Sequence, residues 1–211
     1  MKREHNITTE TPLPSGYTRL NYIEATGTQY IDTGYYVGNK KTRIVGEMTK
    51  RNSVGDSTIL FGCGSPSDNQ VFCNPFFPPN TASVVVYAIG LGHSLATFIE
   101  VNSLISFDFT VDIPNNRFEG EIINGNNVAR GKRNGLGTIY NNTLGLFVYF
   151  QGTQRKFFAK ARLSSFLIYE NDVLIHNYIP ALRDFDSKPG LYDVAAGEFK
   201  VNQGTGEFLY A

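Results

Sequence analysis

From Ile105 to Ile113 the chain reads Ile-Ser-Phe-Asp-Phe-Thr-Val-Asp-Ile, with apolar residues on every odd position and polar residues on every even one. That period of two predicts a strand with one buried and one wet face. Pro114-Asn115 then supplies a two-residue turn and 116–123 returns. Asn124-Gly125 is a strong hairpin signal, because both residue types tolerate positive φ. The stretch from Ile105 to about Lys132 is therefore expected as a three-stranded meander. Centred on Asn124-Gly125, the second turn sets Glu119 opposite Arg130, and the first sets Glu121 opposite Asp108.

Later runs have a different pattern. In 144–150, Leu144, Leu146, Val148 and Phe150 share one face, while Phe147 and Tyr149 share the other. Two apolar faces predict a central strand covered on each side or lining a binding groove. Over 156–163, Phe157, Ala159, Ala161 and Leu163 are expected inward, and Lys156, Phe158, Lys160 and Arg162 outward. Short β-rich runs alternate with Gly, Asn and Pro turns to the end of the chain. No helical stripe of useful length appears, one turn over 179–185 being the exception. Residues 1–14, ending Thr11-Pro12-Leu13-Pro14, read as a flexible arm, and 15–211 read as a single domain.

Composition agrees with a large apolar core. Of 211 residues 41% are hydrophobic, with 16 Phe and 12 Tyr, while 18% are charged and the net charge is zero. Such a chain is not disordered, and it lacks the basic excess that general nucleic-acid binding needs. No apolar run of about eighteen residues exists to span a bilayer. The start, Met1-Lys2-Arg3-Glu4-His5-Asn6, has no apolar h-region of a secretory signal. Cys63 and Cys73 fit two buried thiols, or a disulfide if their Cα atoms come within about 7 Å.

Most catalytic and metal motifs are absent. Gly62-Cys-Gly64, Gly90-Leu-Gly92 and Gly135-Leu-Gly137 do not continue into a dinucleotide fingerprint. His5, His93 and His176 are scattered without metal-ligand spacing. Glu119-Gly-Glu121-Ile-Ile-Asn124 places two carboxylates on one strand face, as a glycosidase requires. It is similar to the Glu-x-Asp-x-x-Glu strand of jelly-roll endoglucanases. Asn124, however, stands where the general acid would be, and an amide donates no such proton. Glu121 opposite Asp108 leaves two alternatives to a catalytic role: a solvated face, or a bound calcium that neutralises the pair.

Two segments carry a family resemblance. One is 13–34, Leu-Pro-Ser-Gly-Tyr-Thr-Arg-Leu-Asn-Tyr-Ile-Glu-Ala-Thr-Gly-Thr-Gln-Tyr-Ile-Asp-Thr-Gly, followed by Thr42-Arg-Ile44. The other runs from Phe166-Leu-Ile-Tyr-Glu-Asn-Asp172 through Tyr178-Ile-Pro-Ala181 and Gly190-Leu-Tyr-Asp193 to Gly197-Glu-Phe199 and Asn202-Gln-Gly-Thr-Gly-Glu-Phe208. Together they resemble laminin-G-like, concanavalin A-like jelly-roll modules of gut bacterial surface proteins and phage virion proteins. The resemblance implies an all-β jelly-roll sandwich of two antiparallel sheets, used to recognise glycan or protein on a virion or cell surface. It brings no shared catalytic or metal site.

The expected function is non-catalytic surface recognition, by glycan binding, adhesion or particle decoration. The alternative is a carbohydrate-active enzyme of jelly-roll endoglucanase type. Sugar grooves pair aromatic faces with polar groups, which singles out Phe147, Tyr149, Lys160 and Arg162 as the candidate glycan patch. Phe76 and Phe77, in the proline-rich loop 74–80, are the candidate partner contacts. With the polar arm, they lead us to expect a homo-oligomer or docking on a larger particle. No cofactor is expected, calcium apart.

Overall fold

The computed structural model describes residues 11–51, 59–64, 70–74, 84–88, 91–95, 102–135 and 142–211; for 70–74, 84–88, 91–95 and 133 it describes the backbone alone. The strands, in chain order, begin with β1 (Tyr17–Arg19), β2 (Ile23–Thr26), β3 (Ile31–Tyr36), β4 (Lys41–Lys50) and β5 (Phe61–Gly64). Next come β6 (Gln70–Asn74), β7 (Val84–Ala88), β8 (Leu91–Leu95), β9 (Leu104–Asp112), β10 (Arg117–Asn124) and β11 (Asn127–Asn134). β12 (Thr143–Leu146), β13 (Tyr149–Gln151), β14 (Gln154–Lys156) and β15 (Lys160–Glu170) follow. The chain closes with β16 (Val173–Arg183), β17 (Lys188–Asp193), β18 (Glu198–Val201) and β19 (Leu209–Tyr210).

These strands build the expected all-β sandwich of two sheets. The larger runs β11-β10-β9-β4-β15-β16-β17-β18, with β1 beside β16, β2 beside β15 and β19 beside β2. The smaller runs β14-β13-β5-β6-β7-β8, with β12 bridging β5 to β3. β13 lies parallel to β5, whereas its other neighbour, β14, is antiparallel. Among the described residues no helix is long and apolar enough to cross a membrane.

The core lies where the alternating patterns meet. Ile105, Phe107, Phe109 and Val111 of β9 are buried on its inner face, as their spacing predicts. Phe61 of β5 reaches across from the smaller sheet, its ring 5.3 Å from Phe107, 6.2 Å from Phe109 and 5.2 Å from Phe166. Gly46 of β4 makes room for this cluster. A Cβ there would sit 2.7 Å from Phe107 Cζ and 2.5 Å from the Ser165 carbonyl oxygen.

Both meander turns form, but one has a different centre. Arg117 pairs with Asp112 and Glu121 with Asp108, as the Pro114-Asn115 turn predicts. In the second hairpin Asn124 pairs with Asn127, so the central residues are Gly125 and Asn126. Gly125, with φ +58°, takes the first central position, an arrangement that favours glycine there. The register therefore moves on, and Glu119 faces Lys132 while Glu121 faces Arg130.

Three further expectations are corrected. The run 144–150 is two short strands rather than one, because Phe147 has φ +62° and turns the chain out of the extended region. Phe147 N–H donates to Leu60 O at 2.7 Å, and Phe147 O accepts from Ala159 N–H at 2.8 Å. Phe157 likewise has φ +55° and points outward, 47% exposed, while Ala159, Ala161 and Leu163 are buried as expected. The helical turn expected over 179–185 is instead the end of β16 and the turn after it. Pro180 fits this strand because it falls between the last β15 partner, at Tyr178, and the first β1 partner, at Ala181. There its carbonyl oxygen still accepts from Leu20 N–H at 2.9 Å, so only the N–H that proline lacks is given up.

Cys63 is a free, buried thiol whose pKa burial pushes up to about 12. It pairs in register with Val71, whereas Cys73 pairs with Phe61. The first ten residues of the arm and the Phe76-Phe77 loop lie outside the described residues.

Replacing Phe107 by Ala removes a side chain that touches aromatic rings of both sheets and leaves a cavity. The expected loss is about 3–5 kcal/mol of unfolding free energy, read from the denaturant midpoint at unchanged slope. An unaltered midpoint would mean that this cluster does not hold the sheets together.

Candidate functional site

The outer face of the larger sheet is assembled from the polar halves of its alternating strands. Arg43 of β4 lies beside Thr110 of β9, which lies beside Glu119 of β10. One row along, Lys41, Asp112 and Arg117 stand side by side in the same way. The turn between β15 and β16 adds Asp172. There Asn171 (φ +49°) and Asp172 (φ +69°) both adopt left-handed backbone, which asparagine and aspartate tolerate best after glycine. Asn171 N–H donates to Lys41 O at 2.9 Å, docking the turn on β4. Lys41, Arg43, Thr110, Asp112, Arg117, Glu119 and Asp172 together line a cleft of about 360 Å³.

Its polar groups are fixed before any ligand arrives. Arg43 holds the fully buried Asp108 carboxylate with two hydrogen bonds, Nε to Oδ1 at 2.9 Å and Nη2 to Oδ2 at 2.7 Å. That bidentate contact raises the Arg43 pKa, outweighing the opposing effect of burial. The guanidinium carbon also lies 5.2 Å from the ring centre of Tyr169, the cross-strand partner of Arg43 on β15. Lys41 Nζ donates to both oxygens of Asp172 at 2.7 Å. Arg117 pairs with Glu119, and Lys132 approaches the same carboxylate at 3.6 Å.

The carboxylates suggested by the sequence are committed elsewhere. Glu121 pairs with Arg130, Asp108 with Arg43, and Glu119 with Arg117 and Lys132. The like-charge pair Asp108–Glu121 is thus offset by two arginines. Among the described residues no group of three or more His, Cys, Asp or Glu is placed to hold a metal.

The predicted aromatic glycan patch is not a surface. Phe147 is 0% exposed and Tyr149 1% exposed, each facing apolar neighbours, so neither ring can receive a ligand. Phe147 packs on Phe208 at 5.5 Å within the core, and Tyr149 packs with Ile59. Lys160 is exposed on β15, and Arg162 is partly exposed beside it. Arg162 has its own local role: Nε donates to Glu24 Oε2 at 2.6 Å and the guanidinium lies 4.2 Å from the Tyr22 ring. Apart from Glu119, the cleft residues were missed because they come from β4, β9, β10 and a distant turn. One signal was present: Asp108, Thr110 and Asp112 are the polar positions of the clearest alternating strand.

His176 and Asp193 form a contact that in other settings would suggest catalysis. His176 Nδ1 lies 2.5 Å from Asp193 Oδ2, and the carboxylate is 0% exposed. Asp193 Oδ1 accepts from the backbone N–H groups of Asn177 at 2.9 Å, Ala195 at 3.1 Å and Ala196 at 3.3 Å. These bonds pin the turn after β17 to β16. The His176 ring itself stacks on Tyr178 at 5.5 Å.

Compared with models of known families and with characterised protein sequences, the chain matches none. Among solved structures it is similar to a proposed carbohydrate-binding protein from Bacteroides ovatus ATCC 8483, with 9% identity and a TM-score of 0.59, covering 92% of this chain and 60% of that one. It is also similar to the heptameric SAP-like pentraxin of Limulus polyphemus, with 9% identity, a TM-score of 0.50 and coverage of 95% and 91%. The NanB sialidase of Streptococcus pneumoniae matches with 10% identity and a TM-score of 0.50, over 92% of this chain and 39% of that one. The chain thus spans less than two thirds of two of these proteins. At such identities the likeness defines the fold, a concanavalin A-like jelly roll.

Burial alone would raise the Asp193 pKa, but hydrogen bonds from His176, Asn177 and Ala196 together with the charge of His176 take it below the ordinary 3.8. A value lower in the folded than in the unfolded chain means stability that is present above the ordinary range and lost as pH falls through the lowered value. Asp193→Asn is therefore expected to be less stable at neutral pH and to lose less further stability between about pH 4 and pH 2 than the parent. Parallel pH–stability curves for the two proteins would refute this.

Proposed function

We propose that this chain is a non-catalytic carbohydrate-binding module, displayed on a virion or cell surface, that takes glycan hydroxyls into the cleft between Lys41, Arg43 and Arg117. The observation that carries this reading is the cleft's alternation of fixed donors and acceptors. Three basic groups, Lys41, Arg43 and Arg117, face three acidic ones, Asp112, Glu119 and Asp172, so the lining has no net charge. A polyanion would gain little from such a lining. A sugar, whose neighbouring hydroxyls each donate and accept, meets a partner of either kind at every position. The Tyr169 ring beside Arg43 adds an aromatic shoulder.

The fold likeness to a proposed carbohydrate-binding protein supports the same reading. On β10, Glu119 and Glu121 are tied to basic side chains, and Asn124 stands where an acid would be needed.

A glycan array followed by titration calorimetry tests this. The parent is expected to retain a neutral glycan, and Arg43→Lys, which keeps the charge but loses the planar fork, to bind it about tenfold more weakly. Arg117→Ala is expected to weaken it by a similar factor, and no reducing ends are expected on prolonged incubation. Release of reducing ends that disappears in Glu119→Gln would make the protein an enzyme. Unchanged affinity in both cleft variants would place the glycan elsewhere.

A further inference from the structure

The same outer face carries a second feature, at the far side of the larger sheet. The turn joining β16 to β17, residues 184–187, leaves Phe185 82% exposed. It is not a loose turn. Asp184 N–H donates to Gly16 O at 3.0 Å, and Thr18 Oγ1 donates to Asp184 Oδ1 at 2.8 Å. Arg183 grips Asp186 with both arms of its fork, Nε to Oδ1 at 3.0 Å and Nη2 to Oδ2 at 2.7 Å. The turn is therefore tied to β1 and to the end of β16 while it holds a phenyl ring out in water.

That ring does not stand alone. The Arg183 guanidinium carbon lies 4.6 Å from the centre of Phe185 and 5.2 Å from that of Phe199. Tyr17 packs on Tyr192 at 4.7 Å and on Phe199 at 5.1 Å, and all three rings remain partly open to solvent. Phe199 lies over Gly190, where a Cβ would come within 2.8 Å of its Cζ, so this ring is laid along the sheet rather than standing off it. A single exposed apolar residue is ordinary on a protein surface. A braced phenyl ring, continuous with three more rings and a fixed ion pair, has the rigid aromatic character of a recognition surface.

We propose that this patch is a second glycan subsite, which stacks the apolar face of a neutral pyranose on Phe185 and meets its hydroxyls with the Arg183–Asp186 pair. The occupant follows from charge and shape. Asp186 offsets the charge of Arg183, so the patch has no net charge with which to attract an anion. The pair sets a planar donor and a two-oxygen acceptor beside an aromatic face, which is what one sugar ring, apolar on its face and polar at its rim, can use at once. Cross-strand pairing puts Arg183, Tyr192 and Phe199 on the same sheet face as Arg43. The two sites lie at opposite ends of the strands: Arg43 is level with Leu174 near the start of β16 and Arg183 ends it, roughly 30 Å apart at about 3.3 Å per residue.

This inference rests on the carbohydrate reading above, and its test keeps the two apart. Cellohexaose, xylohexaose, mannohexaose and maltohexaose are titrated against the parent, Phe185→Ala, Phe185→Tyr and Arg43→Lys, with saturation-transfer NMR on the sugar ring protons. Because Phe185 is exposed, its replacement leaves the fold intact, which an unchanged denaturant midpoint verifies. The expected result is that Phe185→Ala binds the preferred hexaose about fivefold or more weakly, that Phe185→Tyr restores affinity, and that the saturation transfer drops only in the alanine variant. Parent affinity in Phe185→Ala, with loss in Arg43→Lys, overturns this subsite and leaves the cleft standing. Loss in Phe185→Ala with parent affinity in Arg43→Lys supports the subsite and moves recognition away from the cleft. A parent protein that binds none of the four sugars overturns both.

Discussion

The packing of Phe61 against Phe107, Phe109 and Phe166 is the contact on which the rest of this molecule depends. A sheet with one apolar face is stable only when that face is covered, and here one ring from the smaller sheet closes on three from the larger. The arrangement demands a glycine at position 46, since β4 passes between β9 and β15 directly beneath the Phe107 ring. It also absorbs much of the chain's aromatic content. Phe107, Phe118, Phe147, Phe150, Phe166 and Tyr178 are all essentially inaccessible. Among the described aromatics that stay open to solvent are Tyr36, Phe157, Phe185 and Tyr210, and Phe185 is the most exposed of these.

How much of this was legible in the sequence depended on whether the deciding contacts were local. The alternation in 105–113 correctly gave β9 its apolar inner face, though Asp108 and Thr110 on the polar face are also buried, and the Pro114-Asn115 turn gave the pairing of Glu121 with Asp108. The next hairpin was displaced because either of two adjacent residue pairs could centre the turn, and only the backbone geometry of Gly125 decides between them. The run 144–150 looked like a two-faced strand because each of its residues is apolar. Its real character, two strands separated by a left-handed phenylalanine, is set by backbone bonds to Leu60 and Ala159 that no local pattern reveals. The same contacts explain why Phe147 and Tyr149 are core rather than groove. Aromatic residues are most often buried, and a strand apolar on both faces usually is as well.

The cleft was illegible for a different reason. Its residues were visible as charged positions, but the pairing of β4 with β9 joins segments about sixty residues apart, and the 171–172 turn joins from farther still. What the structure adds is that nearly every charge on this face is balanced by a neighbour. Asp108 sits under Arg43, Lys41 meets Asp172, and Glu119 lies between Arg117 and Lys132. A zero net charge in the composition is thus also zero locally. Such a surface offers directional hydrogen bonds without a long-range field, so it favours neutral polar ligands over polyanions.

The central claim is that the outer face of the larger sheet is the recognition surface. Hydrogen–deuterium exchange of the whole chain, free and saturated with a retained neutral oligosaccharide, tests it most directly. The account predicts slower exchange in 41–45, 108–112 and 117–121, with no change in β13 and β14 of the smaller sheet. Protection confined to the smaller sheet would contradict it.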